Sequence, residues 1–232
     1  MFRHLKPLIE HYPNLALVYR TLRDAWNMDH QKPQATHDGF RFIGNAAMRE
    51  GTFEPEEIII IKDNLLKADV FIDVGANVGY YTCVARSFGK HTIAVEPLAQ
   101  NLNYLYANLN ENGWNDVEVW PVGLSSKPGV ATLYGASTGA SLISGWAGAS
   151  SLIRCNIALS TLDILCSRFD GKRLIIKIDV EGAEYAVLKG ANHTLTMSPR
   201  PIWMVEISFS DHHPAGINHD FAKTFELFWQ NG

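Results

Sequence analysis

The chain has 232 residues, 47% of them hydrophobic and 19% charged, with a net charge of -4 at pH 7. That length suits a single domain with a full core, and the balance is that of an ordinary soluble globular protein. It offers no basic run as a footprint for nucleic acid and no apolar stretch of membrane-spanning length, so neither partner is expected.

The first residues, Met1-Phe2-Arg3-His4-Leu5-Lys6-Pro7, lack the continuous apolar run of a secretory signal, and a cytoplasmic location is expected. Cys83, Cys155 and Cys166 are odd in number and lack C-x-x-C spacing. They read as buried thiols in a reducing compartment rather than as a disulfide framework or zinc site. Within residues 5–28, Leu8, Ile9, Leu15, Val18, Leu22 and Trp26 recur at roughly helical spacing, broken at Pro13. Two short helices packed on the main domain are predicted there. Asp38-Gly39 predicts a turn before a short strand over residues 40–43. Pro55 and the acids Glu56 and Glu57 predict a helix start, with Ile58, Ile61 and Leu65 as its apolar face. Residues 1–50 are expected to form an extension, and residues 51–232 the main domain.

The central stretch is Val70-Phe71-Ile72-Asp73-Val74-Gly75-Ala76-Asn77-Val78-Gly79. An apolar, β-branched run predicts a strand buried on both faces, and two glycines bracket the turn that follows it. Val78, Thr82, Ala85 and Phe88 then fall at helical spacing, with Gly89 as the stop. Strand, glycine turn and helix start form the mouth of a nucleotide site in open α/β sheets. A dinucleotide site wants G-x-G-x-x-G, and here Asn77 stands where the middle glycine makes room for pyrophosphate. Asp73 suits a cationic group such as the ammonium of S-adenosyl-methionine. The next strand, over residues 91–95, ends at Glu96-Pro97, the distance downstream at which an acid reaches ribose hydroxyls.

Leu98, Leu102, Leu105 and Leu109 form one helical stripe that stops at Gly113. Residues 117–124 predict a third strand, and Leu124 and Ser125 just beyond its end are placed by the adenine. Residues 130–134 and 153–159 predict shorter strands. Between them lies the 135–151 loop, rich in Gly, Ala and Ser with Trp146 inside it. It reads as a lid or substrate wall, with a plain flexible insertion as the alternative.

The second chemical stretch is Leu174-Ile175-Ile176-Lys177-Ile178-Asp179-Val180-Glu181-Gly182-Ala183-Glu184. Carboxylates at the end of a buried strand are costly to desolvate without a partner, which points to placement for function. Residues 201–208 predict the fifth strand, finishing near Glu206. Asp211, His212, His213 and His219 match no strong metal-ligand spacing and read as a polar loop, so no metal is expected. Phe221, Phe225 and Phe228 mark a last helix.

Asp73 through Gly79, Glu96-Pro97 and Lys177 through Glu184 together resemble the FkbM-type S-adenosyl-methionine-dependent methyltransferases over roughly residues 50–232. The resemblance implies an α/β, Rossmann-like, seven-stranded methyltransferase sheet with helices on both faces, and methyl transfer to a hydroxyl of a sugar or natural product. It implies donor binding by Asp73, Gly75, Asn77 and Gly79, with Glu96 and Pro97 at the ribose and Asp179 near donor and substrate. Asp179 and Glu181 are candidate bases for a hydroxyl proton, with Glu206 behind them. The chain stops where that class continues into a strand hairpin, so the sheet is expected to lack it, leaving the fifth strand as an edge open to a homo-oligomeric partner. A nicotinamide-dependent oxidoreductase and a donor-binding domain without catalysis are the competing readings.

Overall fold

The computed structural model describes residues 32–231. The two helices predicted within residues 5–28 lie outside the described residues. The described chain opens on a small hairpin, β1 (Gln34–Ala35) antiparallel to β2 (Arg41–Phe42), followed by α1 (Ala46–Glu50) and α2 (Pro55–Leu65). Asn45 caps α1 by accepting the Met48 backbone N–H at 2.8 Å, satisfying one of the donors a helix start leaves open. Pro55 opens α2, with Glu56 and Glu57 at its positive end.

Strands and helices then alternate: β3 (Val70–Val74), α3 (Tyr80–Ser87), β4 (His91–Val95), α4 (Ala99–Glu111) and β5 (Glu118–Trp120). A side unit follows, made of β6 (Gly123–Leu124), β7 (Gly129–Tyr134) and β8 (Arg154–Ser160). The main unit resumes with α5 (Leu162–Cys166), β9 (Leu174–Ile178), α6 (Glu184–Lys189), α7 (Asn192–Thr196), β10 (Ile202–Val205) and α8 (Phe221–Asn231). The main sheet runs β10-β9-β3-β4-β5, all parallel. Among the described residues this sheet has five strands, against the seven of the sheet that the resemblance implies. The strand order reverses between β3 and β9, and their carboxyl ends open the crevice where ligands sit in such sheets.

Alternation along the buried strands assigns each face. Phe71, Ala94 and Ile175 pack under α2, α3 and α4 with Ile61, Leu65, Val84 and Leu105. Val70, Ile72, Val74, Ile176 and Ile178 pack on the other face with Leu162, Leu165, Val187 and Leu188. Each such side chain contributes roughly 1.5–3 kcal/mol when fully removed from water. Phe40, Phe42 and Met48 join the first cluster, so the described part of the amino-terminal extension shares the core of the sheet.

Three expectations are corrected. The third strand is not continuous: Pro121 has no N–H to give a ladder, and the chain turns there, with Val122 N–H donating to Trp120 O at 2.9 Å. Gly123 and Leu124 leave the main sheet and pair parallel with β8, which also pairs antiparallel with β7. The fifth strand ends at Val205, before Glu206. Cys155 is exposed, because it lies on the open part of β8, while Cys83 and Cys166 are buried. No helix among the described residues is long and apolar enough to cross a membrane.

Candidate active site

Two turns at the carboxyl ends of neighbouring strands build the site. The first follows β3, where Gly75 has φ +84° and Asn77 φ +53°. A Cβ on Gly75 would stand 1.8 Å from the carbonyl oxygen of Asp179, so only glycine lets the two turns touch. Gly79, at φ +88°, caps α3, and a Cβ there would meet Leu105 Cδ1 at 2.3 Å. The first turn is tied to β4 by Glu96. Its carboxylate accepts the Asn77 N–H at 2.9 Å and the Leu98 N–H at 2.8 Å. Burial pushes the Glu96 carboxyl up to about 7, against the opposing pull of those two N–H groups.

The second turn follows β9 and has the same logic with different parts. Glu184, only 2% exposed, accepts the Gly182 N–H at 2.9 Å and the Val180 N–H at 3.3 Å. Burial raises Glu184 to about 7 against those bonds. Between the two bonded residues, Glu181 is held at φ +54°, a conformation costly for a residue with a side chain.

A cavity of about 320 Å³ lies over both turns. Of the residues expected to hold a donor, Gly75, Asn77, Glu96, Pro97, Leu124 and Asp179 line it. The candidate bases Asp179, Glu181 and Glu206 line it as well. Asp73, Gly79 and Ser125 are not among its lining residues. The period-two alternation of β3 puts Asp73 on the Phe71 side of the strand, 1% exposed beneath α3, where Oδ2 accepts the Thr82 hydroxyl at 2.6 Å. Its other oxygen has no hydrogen-bonding partner among the described residues, and burial pushes its carboxyl up against the opposing charge of Lys177. Ser125 donates its N–H to Ser160 O, and its own carbonyl packs against Gly190.

Lys177 is the functional residue that sequence reasoning left inside a motif without a role. It pairs in register with Asp73 on the adjacent strand, is 5% exposed, and donates to Asp179 Oδ2 at 2.9 Å. Its Nζ also sits 4.7 Å from the centre of the Tyr81 ring. Burial opposes its charge, yet Asp179 and Asp73 together hold the ammonium above its ordinary value. A lysine inside an otherwise apolar strand was the available signal.

Asn45 and Met48 from the extension, with Phe53 and Glu54 just beyond it, also line the cavity, an addition no local motif announced. Glu54 accepts the Tyr81 hydroxyl at 2.5 Å. Glu206 lines the cavity while remaining exposed. Its carboxyl rises to about 7 through desolvation first, then through the negative charges of Asp179, Glu54 and Glu181, with Lys177 opposing. Leu124, Leu133, Ile157 and Val122 give the cavity an apolar wall suited to a flat ring.

Backbone strain maps onto the same place. Six non-glycine residues among those described have positive φ: Glu54, Asn77, Ser137, Ala147, Glu181 and His212. Glu54, Asn77, Ser137 and Glu181 line the cavity. Ala147 and His212 bond to each other, Ala147 N–H to His212 O at 2.7 Å, where the 135–151 loop docks. Strain of this kind persists where the surrounding structure fixes it and clusters at functional sites.

The methyltransferase FkbM domain model matches residues 73–232. Among solved structures, methyltransferase FkbM from Methylobacillus flagellatus KT aligns at 18% identity and a TM-score of 0.46, over 78% of this chain and 47% of that one. Precorrin-6y C5,15-methyltransferase from Geobacter metallireducens GS-15 aligns at 12% identity and a TM-score of 0.43, over 79% and 74%. The chain thus spans about half the length of the first of these structures. A search of curated proteins found no match.

Proposed function

Because the chain belongs to the FkbM methyltransferase domain family, we propose that it transfers a methyl group from S-adenosyl-methionine to a hydroxyl oxygen of a sugar or natural-product acceptor. The observation that carries this reading is the cavity over the two strand-end turns. Its residues fit such a donor in three ways. Gly75 lets the two turns meet, since a Cβ there would collide with the Asp179 carbonyl, and both residues line the cavity. The Asn77 side-chain oxygen, buried, has no hydrogen-bonding partner among the described residues and is available to a ligand donor group. Glu96 lines the cavity with a carboxylate fixed by two backbone N–H groups, suited to ribose hydroxyls.

When bound, S-adenosyl-methionine supplies a methyl already activated on a sulfonium, whose sulfur leaves as a neutral thioether with the bonding pair. The protein's own part is to bind, to align and to take a proton. Leu124, Ile157 and Leu133 give an apolar seat, and the turn glycines let backbone approach closely. Lys177 holds Asp179 in one orientation and offsets its charge. The acceptor's O–H proton passes to a carboxylate of the wall, Glu181 or Glu206, while the oxygen keeps the pair for the new bond. Asp179, already paired with Lys177, fits a binding role better than a proton-accepting one.

Acceptor charge follows from the lining. Five carboxylates, of Glu54, Glu96, Asp179, Glu181 and Glu206, line the cavity, and no Lys, Arg or His is among the described lining residues. A phosphorylated or acidic acceptor would meet like charge with Lys177 already committed to Asp179, so a neutral polyhydroxylated acceptor is favoured. The methyltransferase domain takes in residues 51–232, with residues 1–50 as an extension that adds Asn45 and Met48 to the cavity wall.

Calorimetric titration with S-adenosyl-homocysteine tests the donor. Wild-type protein is expected to bind, and Glu96→Gln to weaken binding at least about tenfold through the lost charged acceptor. Folded wild-type protein that binds a nicotinamide dinucleotide and not S-adenosyl-homocysteine would overturn the reading.

A further inference from the structure

Among the acids of the cavity wall, Glu181 is the one gripped by the 135–151 loop. Trp146, 2% exposed within a stretch of Gly, Ala and Ser, donates its indole N–H to Glu181 Oε2 at 2.6 Å. Its ring lies against Gly182, where a Cβ would stand 2.4 Å from Trp146 Cζ3. The buried Ser141 hydroxyl donates to the Glu181 backbone oxygen at 2.5 Å. The rings of His212 and His213 also neighbour the indole, at centroid distances of 6.2 and 6.0 Å. A bulky aromatic in a loop rich in Gly, Ala and Ser, seated on a glycine and bonded to a carboxylate 35 residues away, is a specific clasp rather than loose covering.

We propose that Trp146 is a positioning residue: its indole N–H ties down one oxygen of Glu181 and leaves Oε1 to accept the acceptor's hydroxyl proton. This rests on the methyl-transfer reading, with Glu181 as the base. In the step, the acceptor O–H bond breaks and its proton goes to Oε1, while the acceptor oxygen keeps the pair that forms its bond to the methyl carbon as the carbon–sulfur pair departs with the neutral thioether. Three features of the geometry support Glu181 as the group being aimed. Its backbone is held in the left-handed region, its carbonyl is tied by Ser141, and its carboxylate is tied by Trp146. Each removes a freedom that a merely solvated acid would keep. The indole bond also bears on protonation. Burial raises the Glu181 carboxyl and the Asp179 charge adds to that, while the Trp146 N–H, His212 and Lys177 favour the ionised form; Glu206 faces it as a further acid.

The test compares wild type with Trp146→Phe, which keeps a ring over Gly182 and removes the donor. Carboxyl-carbon NMR titration follows Glu181, its signal identified by its loss in Glu181→Gln. The midpoint is expected to rise by about half a unit or more in Trp146→Phe, since a bond to the ionised form is lost. A background of His212→Gln and His213→Gln removes the two imidazole rings beside the indole. An unchanged midpoint in folded Trp146→Phe would overturn the proposal. Should that variant not fold, the wild-type indole nitrogen signal decides. It is expected to titrate with Glu181 and to stop doing so in Glu181→Gln, and a signal indifferent to Glu181 would overturn the proposal equally. Affinity for S-adenosyl-homocysteine, expected to stay within about twofold in Trp146→Phe, separates this from the donor reading. Wild-type protein that does not bind it counts against that reading alone, whatever the titration shows.

Discussion

The two strand-end turns are near copies in design and opposites in how they are held. Each follows a fully buried strand, and each carries a glycine and a non-glycine residue at positive φ. Each has backbone N–H held by one buried glutamate, that of Asn77 in the first and those of Val180 and Gly182 in the second. For the first turn that glutamate is Glu96, at the end of the neighbouring strand, so the parallel sheet itself builds the turn. For the second it is Glu184, two to four residues downstream in the chain, so the turn is built locally. The second turn then needs a distant loop to fix its outward acid, through Trp146 and Ser141. A site can thus join a rigid half, suited to an invariant ligand, with a half whose geometry depends on loop docking.

The strongest way to break both halves at once is Lys177→Met. Lys177 stands beneath them, paired in register with Asp73 of the first strand and bonded to Asp179 of the second turn. Removing one partner from a buried ionic group leaves uncompensated charge, and a loss of about 3–5 kcal/mol is expected in denaturant unfolding. A loss below about 1 kcal/mol would mean that the two turns do not share that charge.

Gly75→Ala strikes where the turns touch. The new Cβ would meet the Asp179 carbonyl, and the backbone sits at φ +84°. Stability is expected to fall by about 3 kcal/mol. S-adenosyl-homocysteine affinity is expected to fall at least about a hundredfold, read by calorimetry beside unfolding. Retained affinity would sever the first turn from donor binding.

The smallest effect separates the turns by pH. Glu184 has an ordinary value of 4.5 and rises to about 7 when folded, so the folded state binds its proton more tightly. Its contribution is therefore complete below about pH 4.5 and fades as pH climbs through about 7. Glu184→Gln keeps an oxygen for Val180 and Gly182 and removes the titration. At pH 8 that variant is expected to be more stable than wild type, by at most about 3 kcal/mol, with no gain at pH 4.5. Equal pH profiles for the two proteins would show that this turn does not feel the burial of its glutamate.

Much of this was legible in order along the chain. The apolar runs at 70–74, 91–95 and 174–178 are strands, the leucine stripe at 98–109 is helical, and the acids at strand ends meet at one cavity. Periodicity and turn chemistry are local, so they survive without knowledge of neighbours. The third strand was misjudged because the apolar character of residues 117–124 hides the break that Pro121 imposes. The extension's share of the cavity, through Asn45 and Met48, had no local sign at all.

The sequence by itself determined which segments are buried strands, where their turns fall, and that carboxylates crowd the turn ends, because composition and spacing set these directly. Tertiary structure decided the rest. Pleat alternation placed Asp73 under α3 instead of in the cavity, and strand register brought Lys177 beside it. Loop docking carried Trp146 across 35 residues to Glu181. Such pairings depend on which faces the folded chain brings together, and a linear pattern encodes a face only once its partner is in place.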